Sequence, residues 1–249
     1  MKTTNLKYDI TKSTAPAMPK LGKGTECVQL LLSQISKDMH EPLVPMFFPI
    51  LGAQVSETEF QYPDLSWKEL CGMMGNLVAD SGCNKGQLSN IVEAICHNLR
   101  EHDSTELEKL VEWQKQMKTK SANKEKPARP DVSFWFPPAD VTNAAFIQNA
   151  MTCEKLGGRT QYLNLPEVEM ADRMCGGHKQ ISQMLRNIYD RQRSGALRAT
   201  AEGVTGNPVL RANLTISSTP YAARKFYKNE LFNGTFCLLY TSPSPRDRQ

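Results

Sequence analysis

Leu70-Cys-Gly-Met-Met-Gly-Asn-Leu-Val-Ala79 runs directly into Asp80-Ser-Gly-Cys-Asn-Lys-Gly86 and then into QLSNIVEAICHNL, residues 87–99. The first piece is a nearly continuous apolar run, as in a strand buried on both faces, and Gly72 and Gly75 argue against a buried helix. In the last piece Leu88, Ile91, Val92, Ile95 and Leu99 recur at helical spacing. The order is therefore strand, tight polar loop, helix.

That order is the setting in which backbone N–H groups of a turn, backed by a helix N-terminus, surround phosphates while a lysine adds a point charge. Aligning the consensus GxxxxGK-[Ser/Thr] on Lys85 puts Ala79 at the first glycine, Asn84 at the second and Gly86 at the hydroxyl position. Asn84 can adopt the positive φ of the turn. Gly86 has no hydroxyl to hold Mg²⁺, and Ser89, about one helical turn on, is the substitute. Ser81, Gly82, Cys83, Asn84, Lys85, Gly86 and Gln87 are thus candidate nucleotide-binding residues. The alternative is an ordinary strand-to-helix turn capped by Asp80 or Ser81, with Lys85 solvated.

Working outward, strands and helices alternate. Val132–Phe136 (VSFWF) reads as a strand stopped by Pro137-Pro138, residues 141–156 as a helix ended by Gly157-Gly158, and Arg159–Leu165 as a strand. Ile181, Met184, Leu185, Ile188 and Tyr189 mark an amphipathic helix ending by Gly195, residues 197–208 carry hairpin turn signals, and 210–217 reads as a strand before a helix opened by Thr219-Pro220. Upstream, Val28, Leu31, Leu32, Ile35 and Met39 predict a helix that Pro42 ends. The pattern predicts an α/β fold with a mainly parallel sheet flanked by helices. The expected organisation is a linker over 1–25, a helical segment over 26–65, a P-loop NTPase-like domain over 66–237 with a charged insertion at 101–130, and a tail at 238–249. The insertion is expected to begin as a helix and fray into a basic loop, and the tail, LLYTSPSPRDRQ, resembles a translated sequencing adapter.

A nucleotidase of this kind needs a carboxylate at the end of a neighbouring strand, to position Mg²⁺ and activate water. Glu167 and Glu169 follow the strand ending at Leu165 and are the catalytic candidates, Glu167 also as a Mg²⁺ ligand; Asn164 is placed to meet a metal-bound water. The alternative is that both glutamates only favour the N-terminus of the next helix. Asn213, Ser217, Ser218 or Thr219, at the polar end of another strand, can sense a γ-phosphate.

Composition sets the outer limits. The chain has 249 residues, 40% hydrophobic and 22% charged, with a formal net charge of +4, which excludes rods and wholesale disorder but does not by itself demand a polyanion. The longest apolar run, Pro42–Ala53, carries three prolines and is too short to cross a bilayer; with no secretory signal, a cytoplasmic protein is expected. Seven scattered cysteines without a CxxC pair read as reduced thiols, and Cys175-Gly-Gly-His178 lacks the second pair a structural zinc needs. Arg193 and Arg198, near a helix and hairpin, are candidate contacts for single-stranded DNA, against the plainer reading of solvated charge.

The segments SGCNKGQLSNIVEAI, YLNLPEVEMADRMCGGHKQISQMLRNIYDRQRSGALRATAEGVTGNP and LRANLTISSTPYAARKFYKNELFNGTFC resemble a family of uncharacterised bacterial proteins carried on mobile elements. Its members look like primase-associated P-loop helicases, often with a virulence-protein E type or primase-like domain upstream. The resemblance implies an AAA or RecA-like domain that binds ATP and Mg²⁺, Lys85 at the phosphates, Glu167 as the acidic group, Ser217 or Ser218 as the sensor, and a homo-oligomer. The family continues past GTFC with an Arg where this chain has Leu238, so an Arg finger and the last strands are expected to be missing.

Overall fold

The computed structural model describes residues 22–23, 25–61, 63, 66, 68–70, 72–119, 127–175, 181–195, 197 and 203–228. The expected linker up to residue 21, the basic loop 120–126, His178, Arg198 and the tail lie outside these residues.

The helical segment comprises α1 (Glu26–Ser33), a short 3-10 turn and α2 (His40–Gln54). Pro42 does not end the first helix. The break falls at 34–36, and Pro42 sits in the first turn of α2, where a missing N–H forfeits no helical bond. Because α2 buries Leu43, Met46, Phe47, Pro49, Ile50, Gly52 and Ala53, it is held by packing, and that packing tolerates the internal Pro45 and Pro49. A small antiparallel ribbon follows, β1 (Glu59–Phe60) with β2 (Glu69–Leu70).

Next come β3 (Met74–Val78), α3 (Gly86–Ile95) and α4 (His97–Thr119), then α5 (Asn143–Lys155), β4 (Gln161–Leu165), α6 (Met170–Cys175), α7 (Ile181–Tyr189), β5 (Ala212–Ser218) and α8 (Pro220–Tyr227). Among the described residues β3, β5 and β4 form a parallel sheet in that order, with the last strand in sequence at its centre. The mixed α/β class with a parallel sheet flanked by helices holds.

Paired residues in parallel strands face the same way, so the register sorts the two faces. With Asn76 beside Ile216 and Leu77 beside Ser217, Met74, Leu214, Ile216, Leu163 and Leu165 lie on one face and pack with Phe146, Ile147, Met174, Leu185 and Ile188 from α5, α6 and α7. The other face carries Leu77 and Tyr162 and meets Leu43, Phe47 and Ile50 of α2 with Leu88, Ile91 and Val92 of α3. Helix α2 lies so close that a Cβ on Gly75 would stand 2.8 Å from the Met46 sulfur.

Two further expectations fail. Residues 132–136 are not a strand: Trp135 C=O accepts the Tyr162 N–H of β4 at 2.8 Å, but side chains take the N–H groups that a ladder would use. The Asp103 carboxylate accepts from the N–H groups of Trp135 and Phe136, each at 2.7 Å, Glu106 accepts from Ser133 N–H at 3.0 Å, and Asn149 holds both N–H and C=O of Phe134 at 2.8 Å. The charged stretch 101–119 is accordingly a docked helix rather than an appendage. Its His102 ring stacks on Trp135 at 3.5 Å, and the Arg159 guanidinium covers the same indole at 4.2 Å. Similarly, α7 ends at Tyr189 and not at Gly195, since Arg191 takes the left-handed conformation (φ 53°). Gln192 N–H then bonds Asn187 C=O at 2.8 Å and Arg191 N–H bonds Ile188 C=O at 3.3 Å, which closes the helix. Beyond it, Arg193 and Val209 form an antiparallel bridge, while the expected hairpin over 197–208 falls in part outside the described residues.

Candidate phosphate-binding site

Strand β3 remains paired one step past its end, through Ala79 N–H to Ser218 C=O at 3.1 Å. The chain then turns through Gly82 (φ 85°) and Asn84 (φ 55°), both left-handed. The sequence reading required this of Asn84, and glycine or asparagine suits both positions. Lys85 folds back over the turn, its Nζ donating to Ala79 C=O at 2.6 Å and to Asp80 C=O at 2.9 Å. Helix α3 opens at the next residue, and two of its first N–H groups already bond the turn before it, Gln87 N–H to Asn84 C=O and Leu88 N–H to Lys85 C=O, both at 3.1 Å. Neither Asp80 nor Ser81 caps it, so the simple capped-turn alternative is not what forms.

Around the loop, Ser81, Gly82, Cys83 and Asn84 are exposed, and a Cβ on Gly82 or Gly86 would meet nothing within 4 Å. The rim is therefore open space, with the Lys85 ammonium beside it on two loop carbonyls. Gln87 behaves differently from its neighbours: its side chain bonds Ser36, Nε2 to Oγ at 2.9 Å and Oε1 from the Ser36 N–H at 3.2 Å. It ties α3 to the N-terminal helices and is not free to meet a ligand in this arrangement. Ser89 sits half-buried in the first turn of α3.

All three parallel strands end on the loop's edge of the sheet, the edge at which open α/β sheets hold ligands. Register separates the serines: Ser217 lies beside Leu77 on the face that packs against α3, whereas Ser218 lies on the opposite face. Ser218 Oγ donates to Asn76 Oδ1 at 3.3 Å, and Asn76 Nδ2 donates to Tyr227 Oη at 3.1 Å. Only Ser217 shares a side with the phosphate-loop helix. Thr219 is committed to capping α8, accepting from Ala222 N–H at 3.3 Å. Asn213, deep in β5, donates to Pro49 C=O at 3.0 Å and accepts from Met73 N–H at 3.2 Å; it serves the core and not the edge.

Leu165 pairs with Ile216, so Glu167 follows β4 at about the level of Ser218 and Val78. Two strand spacings of about 4.8 Å separate it from β3. Glu167 and Glu169 are both exposed, and the carbonyl of Glu167 accepts the Met170 N–H at 3.1 Å at the start of α6. Among the described residues no cluster of three acidic, His or Cys side chains could hold a metal ion.

Arg193 is not a free cation. Its guanidinium reaches Glu154 Oε1 at 2.9 Å and Asn207 C=O at 2.9 Å. A cavity of about 310 Å³ lies away from the loop, between α4, α5 and the segment before α5, lined by Leu107, Leu110, Val132, Phe134 and Val141 together with Arg129, Asp140 and Asn149. No described helix is long and apolar enough to cross a membrane.

The sequence reading overlooked a buried polar line across β4 and β5. Tyr162 Oη lies 2.5 Å from Thr215 Oγ1, which lies 3.0 Å from Asn164 Oδ1. The signal was present: Tyr162 and Asn164 alternate with Leu163 and Leu165, and Thr215 alternates with Leu214 and Ile216, so three polar side chains fall on one face of adjacent strands. Compared with known proteins, the chain matches no family model, no curated protein and no solved structure.

Proposed function

We propose that this chain binds ATP through residues 80–86, as the nucleotide-binding domain of a replication helicase or primase-helicase of a mobile element. The observation that carries the reading is the fold of the loop itself. A parallel strand enters a turn with two left-handed residues, a lysine folds over its mouth, and a helix N-terminus stands behind it. Ser217 from the central strand and Glu167 from the third border the same edge and supply the sensing and acidic groups. Mg²⁺ accompanies the nucleotide, and homo-oligomer formation, an upstream primase-like domain and single-stranded DNA are the partners the resemblance implies.

The test is equilibrium binding of a fluorescent ATP analogue, with and without Mg²⁺, to the wild type and to Lys85→Ala. A hydrogen bond from a charged group is worth about 1.5–3 kcal/mol, so affinity falls roughly 10- to 150-fold while the circular dichroism spectrum is unchanged. Unaltered affinity in the variant rejects the reading. A second reading, a P-loop module that binds partners without turnover, is favoured by Gly86, which leaves the hydroxyl position empty. Mg²⁺-dependent hydrolysis abolished by Glu167→Gln excludes it.

A further inference from the structure

The geometry points to the cavity between α4, α5 and the segment before α5 as a binding site for one small monocarboxylate with an apolar body, its carboxylate met by Arg129. The inference stands apart from the ATP-binding reading and uses none of its residues.

The space follows from the way segment 132–136 is held. Asp103 and Glu106 of α4 and Asn149 of α5 take its N–H groups, so polar side chains pin both helices to this segment. Leu107 and Leu110 of α4, Val132 and Phe134 of the segment, and the face of α5 that bears Ala145 and Gln148 line what is left between them. At about 310 Å³ the space falls at the small end of ligand sites. A water, one heavy atom, takes about 30 Å³ of liquid. The space therefore suits a body of about ten non-hydrogen atoms, the size of octanoate and well short of a nucleotide.

The polar groups of the lining decide which head group fits. Asn149 is engaged already: its oxygen accepts the Phe134 N–H, and its nitrogen donates to Phe134 C=O and Gln161 Oε1. Asp140, which would repel an anion, is paired with Arg173 at 2.5 Å. The Thr152 hydroxyl donates to Gln148 C=O at 3.1 Å, whereas the Thr142 hydroxyl, which accepts the Ala145 N–H at 3.3 Å, keeps its own hydrogen to give. Arg129 is exposed at the cavity and makes no ion pair among the described residues, and Gln148 lines it half-buried. The capacity left over is therefore on donors, and the largest is a guanidinium, whose fork matches a carboxylate. Thr142 and Ala145 also belong to the opening turn of α5, so the positive end of a 13-residue helix borders the same space. A hydrocarbon leaves Arg129 unused and a cation is repelled by it; an apolar body with a carboxylate uses both parts of the lining.

The experiment titrates hexanoate, octanoate, dodecanoate and 1-octanol into the full chain by calorimetry, with thermal unfolding of each variant as the check on folding. A buried methylene is worth up to about fourfold in affinity, so octanoate binds about four- to fifteenfold more tightly than hexanoate. Dodecanoate, longer than the space, gains less than about threefold over octanoate. Arg129→Gln weakens octanoate about three- to tenfold, the range of a charged hydrogen bond reduced by exposure, and leaves 1-octanol unchanged. Ala145→Trp, at an exposed position in the first turn of α5, fills the space and removes octanoate binding while unfolding stays near wild type. Equal effects of Arg129→Gln on acid and alcohol, affinity that keeps rising to dodecanoate, or octanoate binding that survives Ala145→Trp overturns the site in favour of unspecific adsorption. Absence of octanoate binding to the wild type at millimolar concentration overturns it outright.

Discussion

Replacing Asp103 by alanine tests whether the charged helix α4 is part of the folding unit. Asp103 is 6% exposed, and its two oxygens each accept one backbone N–H, from Trp135 and from Phe136, both at 2.7 Å. These bonds stand where a neighbouring strand would, so the truncated variant leaves two donors without acceptors. A buried unsatisfied group costs about 1–3 kcal/mol. The Phe136 N–H is fully buried and pays that in full, whereas the Trp135 N–H is part-buried and recovers some by hydration. The expected loss is about 2–4 kcal/mol, which for a domain of about 150–250 residues lowers Tm by roughly 4–16 °C. Asp103→Asn retains one acceptor oxygen and should lose about half as much. Urea unfolding followed by tryptophan fluorescence reads both changes, since Trp135 is stacked between His102 and Arg159. Glu108→Ala, at an exposed position on the same helix, should stay within about 0.5 kcal/mol of wild type. If Asp103→Ala falls in that same narrow range, segment 132–136 is held by something other than the Asp103 carboxylate.

Glu106 makes a related contribution that depends on pH. Burial opposes its ionisation, but hydrogen bonds from Lys109 and the Ser133 N–H outweigh burial and hold its pKa below the ordinary carboxylate value. A depressed folded-state pKa stabilises above the unfolded value and is lost as pH falls through the folded value, so wild-type stability should decline below about pH 4 and Glu106→Gln should flatten that decline in urea titrations. Cysteine labelling supplies a direct probe of the loop. Cys83 and Cys27 are exposed, while burial pushes the Cys96 and Cys153 thiols up to about 12; maleimide mapping by mass spectrometry should mark the first two and spare the others, and ATP with Mg²⁺ should protect Cys83 but not Cys27. For nucleic acid, Glu154→Gln should release Arg193 from its ion pair and steepen the salt dependence of single-stranded oligonucleotide binding; no change in slope removes Arg193 from any strand path.

What the sequence disclosed was local and periodic. The strand inside the run 70–79, which forms over Met74–Val78 while Leu70 pairs in the ribbon, the helical spacing after Gly86 and the positive-φ tolerance of Asn84 were readable because each depends on residues close in the chain. The Gly157-Gly158 terminator was readable for the same reason, and both glycines have positive φ. What stayed hidden depended on partners far away. VSFWF has every mark of a strand, yet Asp103 and Glu106, about thirty residues upstream, capture its N–H groups. Pro42 looks like a stop, yet it falls in the first turn of a helix whose apolar surface is covered by the sheet. The difference between Ser217 and Ser218 required register: adjacent serines in one strand point to opposite faces, and only the pairing with β3 says which of them shares a side with the loop.

The state of Lys85 bears on how the site would work. Its ammonium lies on two carbonyls of its own loop, so a phosphate must replace bonds that already exist and does not meet a bare cation. Each such bond is worth about 1.5–3 kcal/mol against solvent, and an incoming anion offers stronger charge-assisted replacements. Binding is then an exchange confined to the loop. The strands beneath it are buried and paired, and the turn residues 81–84 are exposed, so the exchange requires no movement of the core. The first turn of α3 is tied to the N-terminal helices by Gln87 with Ser36, and its last residue by the Gln54 side chain of α2, which donates to Ile95 C=O at 3.0 Å. Any displacement of the first turn of α3 that accompanies the exchange is therefore felt first between α1 and α2, at the junction where the N-terminal helices meet the sheet.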